Sequence, residues 1–285
     1  MSIAYQYVLP DPNNPIGNAG QTTGTDGPGY RSVQLTSNSP IMKTRTNSGR
    51  TVARAVAGQR WDIDISYNPM TRAQFEPIYN FLLNRRGGLK PFQVSLPQYA
   101  LPQNTTFSNY AVAAPTGIRT TIVAGQFIIG NSYKIDTAGN TTWTNAGAAS
   151  SAVGTVFTAA NAGAGTGVAI ALSGTSSLLI DGLSGSSGDP SPGDLFTITD
   201  AGDVNHTKTY RVTQVETNST YNTLQPTAAQ RIVHFIPGLS RAVQNNSILV
   251  FANPLIRVVA TDSQEYSLGA NGLYNFSLKL EEAQP

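Results

Sequence analysis

The segment RWDIDISY at residues 60–67 alternates strictly: Trp61, Ile63, Ile65 and Tyr67 are apolar, while Arg60, Asp62, Asp64 and Ser66 are polar. A period of two places alternate side chains on opposite faces, so this is a strand with one dry side and one wet side. The pattern returns near the other end of the chain, where Tyr274, Phe276, Leu278 and Leu280 alternate with Asn275, Ser277 and Lys279. Between them, SLLIDGLSG, PGDLFTITD, KTYRVTQVET, RIVHFIPGL and LIRVVATD carry shorter versions of the same pattern. Composition supports a mainly β chain. Thr, Ser and Asn number 31, 24 and 22, with 27 Gly and 17 Pro. These residues favour strands and turns and are poor in helix interiors. A 40% hydrophobic content is enough to bury a core, and 285 residues suit one or two domains.

One helix is marked. Thr71 and Gln74 have capping-box spacing after Asn68-Pro69, and Phe75, Ile78, Tyr79 and Leu82 form an apolar stripe at i, i+3, i+4 and i+7. Arg85 and Arg86 suit the last turn, and Gly87-Gly88 supplies a stop. Pro77 falls past the first turn, where it costs a hydrogen bond or kinks the helix. A strand follows, with Phe92, Val94 and Leu96 on one face. Residues 10–29 read as a turn-dense loop. The segments GNSYKIDTAGNTTWTNAG and VGTVFTAANAGAGTGVAI each read as a glycine-flanked hairpin.

Charge is unevenly spread. From Gly27 to Lys90 ten Lys or Arg face three acids, whereas from Ile135 to Thr207 there are six Asp and no Lys or Arg. Within the basic block, MKTRTNSGRTVARAVAG reads as a hairpin arm with an Asn-Ser-Gly turn. Lys43, Arg45, Arg50 and Arg54 lie within twelve residues there, among too few large apolar side chains to bury the arm by itself. They are the candidate subunit-contact residues, and the acid-rich segment 135–207 is one candidate counter-surface. The overall charge of +2 gives no bulk attraction to a polyanion, and no nucleic-acid recognition motif accompanies the basic block.

Chemistry-bearing motifs are scarce. There is no cysteine, which removes disulfides, thiolate metal sites and Cys nucleophiles and is compatible with a reducing compartment. The start of the chain lacks the basic and apolar regions of a signal peptide, and no run of about 18 apolar residues offers a membrane span. GAGTG at 163–167 has neither the Lys-Ser/Thr nor the following helix of a phosphate loop and reads as a turn. Asp181, Asp189, Asp194, Asp200 and Asp203 fit no calcium-loop spacing and read as turn and cap residues. His206 and His234 lack any supporting catalytic motif, and the acids show no glycosidase signature. The expectation is therefore a protein with no catalytic residue, no cofactor and no metal. Among the aromatics of the middle segment, Tyr133, Trp143 and Tyr221 are candidates for stacking on a sugar ring, with Trp143 foremost; the competing reading is that Trp143 packs a small β core.

The basic hairpin followed by GQRWDIDISYNPMTRAQFEPIYNFLLNRRGGLKPFQVSLP resembles the distal tail, or baseplate hub, proteins of tailed bacteriophages. The features that carry the resemblance are Trp61 entering a strand, the TRAQF helix start, the RRGG stop and the PFQVSLP strand, with LYNFSLKLEEA similar to the closing strand. Two stretches of the middle resemble β modules inserted in phage tail and virion proteins. The resemblance implies a tail-tube-like β-sandwich or barrel core with one flanking helix, over residues 1–114 and 241–285, and an inserted small β domain or pair of domains at 115–240. It further implies a structural protein of the virion tail tip or baseplate, assembled in the host bacterial cytoplasm. That protein would form a ring, a hexamer by family habit, that joins the tail tube protein to the tip or baseplate hub proteins. The alternative is a carbohydrate-binding role, with the inserted domain recognising a host-surface glycan.

Overall fold

A computed structural model describes residues 8–9, 29–55, 58–217, 226–227, 229–261 and 265–283. All but Gly29 of the loop expected at 10–29, together with Tyr221, lies outside the described residues. The chain forms two compact units, one from residues 1–97 and 255–284 and the other from 98–254.

In chain order the first unit begins with strands β1 (Tyr30–Asn38), β2 (Ile41–Arg45), β3 (Thr51–Ala55) and β4 (Arg60–Tyr67), helix α1 (Arg72–Arg85) and β5 (Phe92–Val94). The second unit holds helix α2 (Thr105–Ala113), then β6 (Arg119–Thr120), β7 (Ser132–Thr137), β8 (Val156–Thr158), β9 (Val168–Ala171) and β10 (Ser177–Asp181). It continues with β11 (Leu195–Thr199), β12 (Thr209–Glu216), β13 (Arg231–Ile236) and β14 (Ile248–Val250). The chain then returns to the first unit with β15 (Ile256–Ala260), β16 (Tyr266–Leu268) and β17 (Tyr274–Glu282). The fold is mainly β, as the alternation requires.

The sheet of the first unit runs β1-β4-β17-β15-β5, with β16 on β17. Its register aligns the apolar rows: Ile65 lies opposite Val33 and Leu278, and Ile63 opposite Leu35 and Leu280. Directly opposed residues share a face, so these pairs make one dry layer. Trp61, Ile63, Ile65, Leu278, Leu280, Val258 and Phe92 are all buried. Helix α1 starts where the capping spacing placed it. The Thr71 N–H donates to Gln74 Oε1 at 3.0 Å. Phe75, Ile78 and Leu82 are buried, and the Phe75 ring stacks on Tyr274 of β17 at 4.6 Å and meets Tyr266 of β16 at 4.9 Å. Pro77 lies inside a helix that continues to Arg85. The stop comes one residue earlier than the glycines, because Arg86 itself takes the left-handed conformation at φ 56°. Arg85 is buried, with its guanidinium 5.1 Å from the Phe81 ring centroid.

The second unit contains a closed barrel, β10-β13-β12-β11-β14-β6, and a three-stranded sheet, β8-β7-β9. One continuous core serves both: Phe196, Tyr210, Phe235 and Leu249 from the barrel cluster with Tyr133, Ile135 and Phe157 from the sheet. The two glycine-flanked segments are not separate hairpins. The first supplies only the central strand β7, and β8 and β9 of the second pair with its two sides. Two helices are present among the described residues rather than one. Helix α2, TTFSNYAVA, is built from weak helix formers and held by its Asn104 cap, whose Oδ1 accepts from Thr106 N at 3.0 Å.

Ile78 is 3% exposed on the helix face toward the sheet. Replacing it with Ala is expected to cost about 2–5 kcal/mol in urea unfolding of the full chain. A loss below about 0.5 kcal/mol would mean that α1 does not cover the sheet.

Candidate functional site

Strands β2 and β3 form a two-stranded ribbon that pairs with no other strand among the described residues. The register runs from Ile41↔Ala55 to Arg45↔Thr51. Its turn is closed by Thr46 N–H to Arg50 O at 2.9 Å and Gly49 N–H to Thr46 O at 2.8 Å, with Gly49 at φ 82°. That conformation is open to glycine and strained for other residues, which is why Asn-Ser-Gly serves here. The Arg45 Nε also donates to Gly49 O at 3.1 Å.

The period-2 rule sorts the arm's side chains. Ile41, Lys43, Arg45, Thr51 and Ala53 share one face; Met42, Thr44, Val52 and Arg54 share the other, and Arg50 stands at the tip. The four cations are therefore not one stripe but are spread over both faces and the turn. Each face also carries exposed aliphatic surface, with Ile41 52%, Met42 66% and Val52 45% exposed. Lys43, Arg45, Arg50 and Arg54 have no ion-pair partner among the described residues. The neighbouring β1 is an edge strand bonded only to β4, and its Val33 and Leu35 are half-buried although they share the dry face.

The acid-rich segment is organised differently from a counter-surface. Asp194 accepts from Gln103 N at 2.9 Å and Ser191 N at 2.8 Å. Asp200 accepts from Gly202 N at 2.8 Å and Gln244 N at 2.9 Å. Asp203 pairs with Arg241 at 2.9 Å and accepts from Asn205 N, and Asp189 pairs with Arg231. Four of the six carboxylates thus clamp loops of their own unit, as turn chemistry suggested, and Asp136 and Asp181 make no side-chain bond among the described residues.

Trp143 is fully buried. Its ring packs between Phe127 at 5.7 Å and Phe157 at 5.5 Å, and its Nε1–H donates to Ala138 O at 2.8 Å. It has the core role, with no ring face left for a sugar, and Tyr133 is likewise buried. The GAGTG run is what admits it: a Cβ on Gly167 would collide with the Trp143 ring edge. His206 is buried, with Nε2 2.7 Å from the Tyr210 hydroxyl, which in turn lies 3.2 Å from Ser240 Oγ. Burial holds its pKa below the ordinary 6.5, while the carboxylates of Asp200 and Asp203 pull it up. His234 sits on β13 and meets Glu216 Oε1 at 2.8 Å. Sequence reasoning did not mark the concavity beside Arg211, because its lining comes from segments about a hundred residues apart.

Residues 9–99 match the family model described as distal tail protein pb9, A domain, N-terminal. The resemblance to phage distal tail proteins is thereby borne out over that segment, which supports a structural protein of the phage tail. No curated protein matches the chain. No helix among the described residues is long and apolar enough to cross a membrane.

Two outcomes follow from the buried groups. Gly167→Ala is expected to destabilise the protein by about 1–3 kcal/mol and to shift tryptophan fluorescence, since the Trp143 ring must move; an unchanged spectrum and midpoint would show slack in that core. His206 binds a proton less readily in the folded protein than in the unfolded chain, whose imidazole titrates near 6.5, so its contribution is complete above 6.5 and is lost as pH falls below it. The thermal midpoint should drop between about pH 7 and pH 5, and His206→Gln should flatten that drop.

Proposed function

Taking residues 9–99 as a distal-tail-protein A domain, we propose that the chain is a ring-forming structural protein that joins the phage tail tube to the tip or baseplate. The observation that carries the reading is the exposed basic ribbon of β2 and β3. Its backbone is paired and its turn is closed, and yet among the described residues its cations have no ion-pair partner and its aliphatic side chains stay exposed. A second copy of the chain supplies what it lacks. Backbone pairing and apolar contact would hold the arm, and the cations would set register, since exposed ion pairs contribute only about 0–1 kcal/mol each. The half-covered edge strand β1 favours the same partner, because ring closure removes a sheet edge that is otherwise open to aggregation. The ring would number six subunits by analogy with the family, and a chain without cysteine suits assembly in the host bacterial cytoplasm.

Residues 98–254 are proposed to be a domain inserted into this core. Strands β5 and β15 are antiparallel neighbours, with Val94 opposite Ile256. The chain therefore leaves and re-enters the first unit at adjacent points, where a short turn would serve. The work envisaged is mechanical rather than catalytic.

Two experiments test these readings. Arg45→Glu combined with Arg50→Glu should lower the assembled fraction in sedimentation while leaving the far-ultraviolet circular dichroism unchanged; normal assembly with normal spectra would reduce the arm to a solvated loop. Replacing residues 98–254 with a short Gly/Ser linker should leave a β protein that unfolds cooperatively, whereas loss of cooperativity would mean that the two units share one core.

A further inference from the structure

The second unit has four arginines, and three have partners of their own. Arg231 pairs with Asp189, Arg241 pairs with Asp203, and the Arg119 Nε donates to Thr116 O at 3.1 Å. Arg211 has neither an ion pair nor a side-chain hydrogen bond among the described residues. It lies on β12 between the buried Tyr210 and Val212, so it faces out of the barrel, on the same side as its register partner Leu195. There it lines a concavity with Gln98, Tyr99, Leu101 and Gln103.

The geometry brings a cation and an amide to one point. The vacant Cβ position of Gly193 is 3.6 Å from Arg211 Nη2 and 2.8 Å from Gln103 Nε2. Glycine at 193, with φ 102°, keeps that space open. The nearby carboxylate of Asp194 does not compete for the guanidinium, because both its oxygens are held by the N–H groups of Gln103 and Ser191. The side chains of Gln98 and Tyr99 also have no hydrogen-bond partner among the described residues. The wall thus offers one unpaired planar cation, two amides, a phenol ring and the half-exposed aliphatic Leu101.

We infer that this concavity binds an anionic group carried on a hydroxylated ring or chain, with Arg211 as the anion-holding residue. The planar guanidinium accepts a carboxylate or phosphate as a forked pair of charge-assisted hydrogen bonds. The Gln98 amide suits hydroxyls, as does the Gln103 amide through its second N–H and its Oε1, since its Nε2 already donates to Pro192 O at 3.0 Å, and Tyr99 with Leu101 suits the C–H face of a sugar. A uronate and a polyol phosphate present the same chemistry from different sources. The site takes over the glycan role expected at Trp143, whose ring is enclosed, and it does not depend on the ring reading.

The test is calorimetric titration of the full chain with glucuronate and, separately, with glycerol 3-phosphate, using glucose as the neutral control. At least one acidic probe should bind saturably and more tightly than glucose; the better one identifies the source. Arg211→Gln should weaken that binding by about ten- to a hundredfold with an unchanged circular dichroism spectrum. Arg211→Met, which keeps the aliphatic stem, replaces it if the Gln variant does not fold. Absence of saturable binding of both acidic probes up to about 10 mM would overturn the assignment. So would equal affinity for glucose, or undiminished binding in the folded Arg211 variant.

Discussion

The first unit depends on a strand that arrives last. Strand β17 lies between β4 and β15 and also takes β16, so without it the sheet would fall into two pairs and leave β16 alone. Its partner β4 ends at Tyr67, and β17 begins only at Tyr274. Bringing such distant segments together has an entropic cost that grows as about (3/2)RT ln n with the length of the loop closed. The cost is contained because the intervening chain is itself folded and its ends meet: Asn253 N–H donates to Ala100 O at 2.7 Å in the second unit, and β5 lies against β15 in the first. The closing strand is then fastened at its end, where Glu282 Oε2 accepts from Trp61 N at 3.1 Å and Glu281 pairs with Arg60 at 2.6 Å.

The same constraint explains how charge is used. A compact second unit with many turns has many backbone N–H groups to satisfy, and short carboxylates at loop positions do this locally. Asp194 and Asp200 each take two such donors, and Asp189 and Asp203 each take an arginine. The acids are consumed by the loops they build. Among the described residues the cations of the arm have no ion-pair partner, and Arg211 has neither an ion pair nor a side-chain hydrogen bond. Sequence charge alone offered the acidic run as one candidate counter-surface for the arm; within the second unit four of its six carboxylates are already bonded to loop N–H groups or arginines.

Legibility followed the range of the interaction. The β4 alternation, the α1 stripe and its Thr71–Gln74 cap, and the Asn-Ser-Gly arm are all settled within about ten residues, and all were visible. Helix α2 was not, since Thr, Asn and Val give no helical signal until Asn104 caps them and Phe107 finds the core. Trp143 was ambiguous because an aromatic between glycines suits a sugar platform as well as a tight core; the close approach of Gly167 decided for the core.

The sequence by itself determined that this protein is mainly β, that one strong amphipathic helix follows the strand at 60–67, and that a basic ribbon lacks the apolar content to bury itself. Periodicity, capping and composition are local properties, and they survive any choice of neighbours. Only the tertiary structure decided which strands pair, that β7 stands between two strands of another segment, that one core serves barrel and sheet, and that Arg211, without a partner among the described residues, lies beside Gln103. Those outcomes rest on contacts between residues far apart in the chain, where the choice is made by complementary packing and by the satisfaction of buried polar groups.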